Sequence, residues 1–136
     1  MEEYSIIRRN PTAEEYQLLR RGVGWPDVEP EAMERGLRNS LFSVCAIHQG
    51  VVVGTGRVVG DGGIYFYLQD IIVHPKHQGK HVGRSIIDSI MKYIESAAQE
   101  GAFVGLMAAE GVARLYERYG FAIRPENRPG MYMWIE

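Results

Sequence analysis

Cysteine is nearly missing from this chain: Cys45 is the only one among 136 residues. An internal disulfide and a thiolate metal cluster are therefore excluded. Long apolar runs are missing too, and none approaches the roughly 20 residues needed to cross a bilayer. The first residues, MEEYSIIRRN, are acidic then basic and lack the apolar centre of a signal peptide. There is no excess of charge of one sign: 15 Lys and Arg against 17 Asp and Glu leave a formal net charge of -2. No overall field then favours nucleic acid or an anionic membrane surface. His48, His74 and His77 lack ligand-like partners in the sequence, so no metal is expected. What remains is an ordinary globular composition, 46% apolar and 24% charged, with no repeat, linker or low-complexity tract. A single cytoplasmic domain over residues 1–136 is expected.

Taken in order, the chain opens with a short strand, Tyr4 to Arg8. Thr12 offers a cap for a helix over Ala13 to Arg21, with Glu14 and Glu15 in its first turn. Gly22 to Asp27 is irregular, and Pro30 starts a second helix that ends near Asn39. Leu41 to Ile47 and Val51 to Val59 are β-branched runs joined by a tight turn and read as a hairpin. Gly60 to Gly63 makes the next turn, before a long strand from Ile64 to Val73. The clearest helix follows: Val82, Ile86, Ile90 and Ile94 recur every fourth residue, Ile87, Met91 and Ala98 widen the stripe, and Gly101 is the expected stop. Phe103 to Ala108 reads as a strand and Gly111 to Tyr119 as a short helix. Phe121 to Arg124 and Met131 to Ile135 read as a terminal hairpin. The expected fold is α/β, with one mixed, mostly antiparallel sheet flanked by helices.

The stretch from Asp70 to Arg84 organises the rest. It is an apolar strand, then a short basic turn carrying Lys76 and Lys80, then the start of the long helix with Arg84. Backbone amides and cations delivered to a helix N-terminus suit an anionic phosphate. The spacing is neither that of a Walker loop nor that of a dinucleotide-binding fingerprint.

Val73-His74-Pro75 followed by Gln78-Gly79-Lys80-His81-Val82-Gly83 resembles the acyl-CoA signature of the GNAT acetyltransferase superfamily, [Q/R]-x-x-[G/A]-x-[G/A] after Val-x-Pro. Tyr116-Glu-Arg-Tyr-Gly-Phe121 is similar to a second mark of that family, Tyr-x-x-x-Gly-Phe. The order of elements matches over essentially the whole chain. Two residues depart from the pattern: His81 stands where the signature has its first small residue, and Glu110 where many members carry Asn.

The resemblance implies acetyl-CoA as acyl donor, without a metal, and direct transfer to a primary amine in a ternary complex. A small-molecule amine is the first expectation. A protein or peptide acetyltransferase, or an acyl-CoA-binding regulatory module without turnover, is the alternative. Carried onto this chain, the backbone of Ile71, Ile72 and Val73 would bind pantetheine like an added strand. Gln78, Gly79, Lys80, His81, Val82, Gly83 and Arg84 would hold the pyrophosphate. Tyr116 maps onto the family's general acid; a tyrosine with pKa near 10 stays protonated at neutral pH and can supply the leaving thiolate. Asp70 is a candidate base or counter-charge in the acceptor cleft, alternatively a salt-bridge partner of Arg57. Trp25 falls where the family builds the acceptor wall, and Asp27, Glu29 and Glu31 add local acidity that would favour a cationic acceptor. Members often dimerise, partly through terminal strands, and the apolar Met131 to Ile135 suits a homodimer contact as well as an internal strand.

Overall fold

The computed structural model describes residues 3–136, which form two compact units divided between Leu106 and Met107. The first unit holds β1 (Ser5–Arg8), α1 (Ala13–Gly22), α2 (Pro30–Arg38), β2 (Phe42–His48), β3 (Val51–Gly60), β4 (Tyr65–Val73), α3 (Val82–Ala97) and β5 (Phe103–Gly105). The five strands form one sheet in the order β1-β2-β3-β4-β5, antiparallel except for the parallel pair β4 and β5. The expected mixed sheet flanked by helices is therefore the architecture found. None of the described helices is long and apolar enough to cross a membrane.

Local chemistry accounts for the elements. Thr12 caps α1: its hydroxyl accepts the Glu15 N–H at 3.1 Å, and the Glu15 carboxylate accepts the Thr12 N–H at 2.8 Å, a reciprocal capping box. Glu29 caps α2 by accepting the N–H groups of Glu31 and Ala32, ahead of Pro30 in the first turn. The β2–β3 turn places Gln49 and Gly50 at φ 50° and 78°, the paired positive angles that a two-residue hairpin requires.

The helix α3 buries Val82, Ile86, Ile87, Ile90 and Ile94, each worth about 1.5–3 kcal/mol of transfer free energy. It seats closely because β3 carries glycine where the helix crosses it: a Cβ at Gly56 would lie 2.6 Å from Ile86 Cγ2. The helix ends earlier than expected, with Ala98 extended rather than helical. Ala98 thus leaves the apolar stripe, and Gly101 turns the connection to β5 at φ 91°. Strand β5 is also shorter than the expected run to Ala108.

One irregularity in β4 sets the position of everything functional. Thr55 pairs with Ile72 and Arg57 with Gln69, so Gly56 alone stands opposite both Asp70 and Ile71. This is a β-bulge, and Asp70 adopts φ 54°, a conformation that aspartate tolerates better than most residues. Before the bulge, Phe66 packs edge-on to Tyr93 of α3. Unbroken alternation would aim Asp70 at that same apolar face. With the extra residue, Asp70 reaches Tyr16 of α1 instead, and Ile71 and Val73 turn toward α3.

The second unit contains one helix, α4 (Ala113–Glu117), shorter than the expected Gly111 to Tyr119. Its Tyr116 is buried and lies edge-on to Phe121, with ring centroids 6.0 Å apart. The terminal hairpin is a correction. A turn does form, with Arg128 N–H donating to the Pro125 carbonyl at 3.0 Å, but residues 118–136 carry no strand. An isolated two-stranded hairpin is marginal in water, so the turn alone does not pair its arms.

Candidate active site

The phosphate-facing half of the site lies where β4 runs into α3. β5 pairs only with Tyr65, Phe66 and Tyr67, so from Leu68 to Val73 that edge of β4 has no ladder partner among the described residues. Backbone polar groups alternate along a strand. His74 N–H donates to the Val53 carbonyl of β3 at 2.8 Å, so the polar groups of Ile71 and Val73 point to the open edge. Ile72 is a correction to the expected set: its carbonyl faces Gly54 of β3, within the sheet. The Val73 carbonyl is already engaged, accepting the Gln78 side-chain amide at 2.9 Å.

Between strand and helix, Pro75–His77 form one 3-10 turn. Its closing bond runs from Gln78 N–H to the Pro75 carbonyl at 3.3 Å. Gln78 therefore braces the loop with both its backbone and its side chain, and its N–H is not a phosphate donor as expected. The turn is fixed at three further points. His74 Nδ1 accepts the Lys76 N–H, the His77 imidazole bonds the Tyr4 hydroxyl at 2.9 Å, and the His48 ring lies 5.1 Å from that of His77. These histidines, unassigned in the sequence, support the loop. Among the described residues no group of three His, Cys, Asp or Glu could hold a metal ion.

The start of α3 carries no side-chain cap. Its first-turn N–H groups, at Val82, Gly83 and Arg84, lack acceptors within the helix. Gly79, at φ 76°, has open space on its Cβ side, and a Cβ at Gly83 would meet only Val73 Cγ2, at 3.7 Å. Lys80 and Arg84 are exposed beside this concave backbone. His81 sits at the cap position itself with φ 65°, its side chain exposed and its carbonyl accepting from the Ser85 N–H and hydroxyl. The irregular residue of the motif thus directs its side chain out to solvent while its backbone starts the helix. A left-handed conformation costs an L-residue about 1–2 kcal/mol. His81→Gly is accordingly expected to stabilise the protein by about 1 kcal/mol without loss of CoA affinity. Thermal unfolding and calorimetry check both, and a clear loss of affinity would make the imidazole a phosphate ligand.

On the other face of the sheet is a compact polar network. Asp70 Oδ2 accepts from Arg57 Nε and from the Tyr16 hydroxyl, both at 2.8 Å, and Arg20 Nη1 stands 3.9 Å from Oδ1. Arg57 Nη1 also donates to the Gly36 carbonyl and to Ser40 Oγ, both at 3.1 Å. Asp70 is 6% exposed. Burial, with Asp70 beside it, raises the Tyr16 pKa above its ordinary 10 and keeps that donor protonated. The carboxylate is therefore enclosed by an ion pair and a phenol. It joins α1 and α2 to the bulge and is not presented to solvent as the expected base. Tyr16 and Arg20, absent from the sequence reading, complete this network.

Arg20 extends it to the connection between α1 and α2. Its guanidinium donates twice to the Pro26 carbonyl and lies 5.3 Å over the Trp25 ring. Trp25 keeps 38% of its surface exposed, so this ring is held from one side and open on another. The expected local acidity is spent in place. Asp27 is bidentate to Arg21 at 2.9 and 2.7 Å, and Glu29 caps α2.

A family model for the acetyltransferase (GNAT) domain matches residues 38–123. The chain belongs to the GNAT family. A crystal structure from meticillin-resistant Staphylococcus aureus, titled a protein of unknown function and "Probable Acetyltransferase", is 36% identical. That match covers 98% of this chain and all of the other, with a TM-score of 0.91. An N-acetyltransferase of Pyropia yezoensis, itself described as uncharacterized, is 25% identical over 96% of this chain and 76% of its own length. An aminoglycoside N-acetyltransferase bound to a CoA-containing bisubstrate analogue is 17% identical, with a TM-score of 0.67 over 98% of this chain and 99% of that one. At that identity it speaks to the fold alone. As a GNAT acyltransferase, this chain has in its first unit an open β4 edge leading to an uncapped helix start. Its second unit carries the tyrosine motif, with Tyr116 on α4. Burial pushes the Tyr116 phenol above its ordinary pKa of 10. Glu110, the other departure, is exposed and does not cap α4, whose N-cap is Val112 without a side-chain bond.

Proposed function

We propose that this GNAT protein transfers the acetyl group of acetyl-CoA to the primary amine of a small molecule, by direct attack in a ternary complex. The observation that carries the reading is the open edge of β4 leading, through one 3-10 turn and Gly79, to the uncapped N-terminus of α3. An extended pantetheine can pair with backbone groups of Ile71 and Val73 as an added strand. A pyrophosphate fits the first-turn amides and Gly79, with charge from Lys80 and Arg84. An N–H on the open edge can also polarise the thioester carbonyl as negative charge develops there.

In the reaction the amine nitrogen bonds to the acyl carbon and the carbon–sulfur bond breaks. Tyr116 gives its proton to the departing thiolate, and solvent returns one to the phenolate while the amide product loses the extra proton. Tyr116 receives this role from its motif and from its protonated state. With Asp70 tied up in ion pairs, no carboxylate of the first unit is assigned as base, and the acceptor enters as its neutral fraction. Tyr116, its pKa raised, stays a competent acid to above pH 10. The value of kcat/KM is therefore expected to rise tenfold per pH unit until it levels at the acceptor's own pKa. Acceptors of different basicity should shift that plateau with them; a plateau fixed near one pH for all of them would reveal an enzymatic base instead.

The function is tested by a panel of small amines and of peptides, reading released CoA thiol against a control without acceptor, alongside calorimetry with acetyl-CoA. Turnover of small amines supports the proposal. Preference for peptides moves the acceptor class, and binding without any turnover makes the protein an acyl-CoA-binding module.

A further inference from the structure

The face of the sheet turned away from α3 carries an aromatic row that the donor site does not use. Phe66 meets Tyr93 of α3, so by alternation Tyr65, Tyr67 and Gln69 face the other way. On β5, Phe103 pairs with Tyr65 and Gly105 with Tyr67. The Tyr65 and Phe103 rings lie 6.1 Å apart. A Cβ at Gly105 would meet Phe103 Cε2 at 2.6 Å and Tyr67 Cδ1 at 3.4 Å. The glycine thus lets the Phe103 ring lie down along β5, within reach of both tyrosines, and the three rings form one layer. Tyr65 and Phe103 are 57% and 44% exposed, and Tyr67 is half-buried.

This layer runs toward the open edge of β4. From Leu68 to Val73, only Gln69 is exposed. Leu68, Asp70 and Ile72 are buried, and Ile71 and Val73 turn toward α3. The helices α1 and α2 close the same face at Asp70 and Arg57, through the Tyr16 hydroxyl and the Gly36 carbonyl, and leave Gln69 uncovered. With α3 behind the strand, the side open to an incoming amine is the side that shows Gln69. Gln69 precedes Ile71 by about 7 Å, and Tyr67 lies about 7 Å further back. The adjoining charges carry a positive surplus: Asp70 stands alone against Arg57 and Arg20, and Asp27 is held by Arg21.

Resting on the acetyl-transfer reading, we infer that the acceptor is a monoamine with a flat aromatic body. Its ring packs on Tyr67 and on the layer of Phe103 and Tyr65, and its nitrogen donates to the Gln69 side-chain carbonyl on the way to the acyl carbon. The occupant is the acceptor because the row ends at the residue that borders the open edge. Ring-on-ring contacts add to plain apolar burial, so the row prefers an aromatic body to an alkyl chain of like size. A second ammonium would meet the surplus charge of Arg57 and Arg20 with no carboxylate left to receive it. Tyr65, Tyr67, Gln69 and Phe103 are thus specificity-determining residues. They choose the acceptor, while the open β4 edge holds the donor.

Steady-state rates with saturating acetyl-CoA compare 2-phenylethylamine, n-hexylamine and spermidine. The aromatic monoamine is expected to have the highest kcat/KM, by about tenfold over either of the others. Tyr67→Ala is expected to raise KM for 2-phenylethylamine about tenfold more than for n-hexylamine. Tyr65→Ala, at a position exposed enough to spare the fold, should act in the same sense and less. A second measurement needs no turnover: saturation transfer from the CoA-loaded protein to the ring protons of 2-phenylethylamine, which either substitution should weaken. A ring signal that the substitutions weaken, in a protein that turns over no amine, supports the aromatic site and overturns the acetyl-transfer reading instead. Absence of a ring signal, a higher kcat/KM for spermidine or n-hexylamine, or KM values and ring signals that neither substitution changes, overturns the inference.

Discussion

Replacing Asp70 by asparagine is expected to destabilise the protein by about 3 kcal/mol, because it leaves two largely buried arginines without their carboxylate. In a chain of this length such a loss lowers the melting temperature by roughly 10 °C. The choice of asparagine isolates the charge. Asparagine accepts the left-handed backbone of the bulge almost as readily as aspartate, and its amide oxygen can still accept from Tyr16. What it cannot do is balance Arg57 at 2.8 Å and Arg20 at 3.9 Å. The Arg57 and Asp70 side chains are 15% and 4% exposed, so water replaces little of what is removed. A double variant, Asp70→Asn with Arg57→Gln, should recover part of the loss, since the orphaned charge goes with its partner. Thermal unfolding of the two single variants and the double variant measures the coupling. A fall in kcat at unchanged melting temperature would return Asp70 to the role of base. The network would then be incidental.

How far the sequence foretold this arrangement depends on whether a residue's job is local. The stripe of Val82, Ile86, Ile90 and Ile94 faces the sheet as its spacing requires, because a helical period is written in the chain itself. Thr12 and Pro30 mark their helix starts for the same reason. The phosphate loop was legible through its motif, down to the awkward position of His81. Whether that side chain clashed or pointed away depended on one φ angle, which no sequence pattern prints. Asp70 shows the limit more sharply. Its partners Tyr16, Arg20 and Arg57 lie 54, 50 and 13 residues away in the chain, and the bulge that brings it to them is a two-against-one register shift. Read with unbroken alternation, the same aspartate is a free acid on a strand. Likewise Asp27 and Glu29 advertised an acidic acceptor cleft, when one is an ion-pair partner and the other a helix cap. The terminal strands differ from expectation for a related cause: Met131 to Ile135 has strand composition, but pairing is a tertiary outcome that local composition does not decide.

Tyr116→Phe is expected to lower kcat by about 10²-fold, the lower end of what a positioned general acid contributes, while acetyl-CoA affinity stays unchanged. The phenol is suited to the task by its environment. Burial holds it above its ordinary pKa, so the acid form dominates at neutral pH. The leaving thiol, near 8.5, is the stronger acid by more than a unit. Full transfer to the thiolate is therefore uphill in the ground state. The gain comes as charge builds on sulfur in the transition state, and solvent completes the cycle. Phenylalanine keeps the ring that meets Phe121 at 6.0 Å, so the fold of α4 survives and the loss is chemical. Two signatures separate this from a packing role. The variant's rate should depend more steeply on the leaving group, so acyl donors with more acidic thiols should recover most of the activity. Its KM for acetyl-CoA should stay constant while kcat falls. Equal rates for both proteins with a good acceptor would remove Tyr116 as the acid and leave the open β4 edge and the uncapped helix start to account for catalysis by positioning alone.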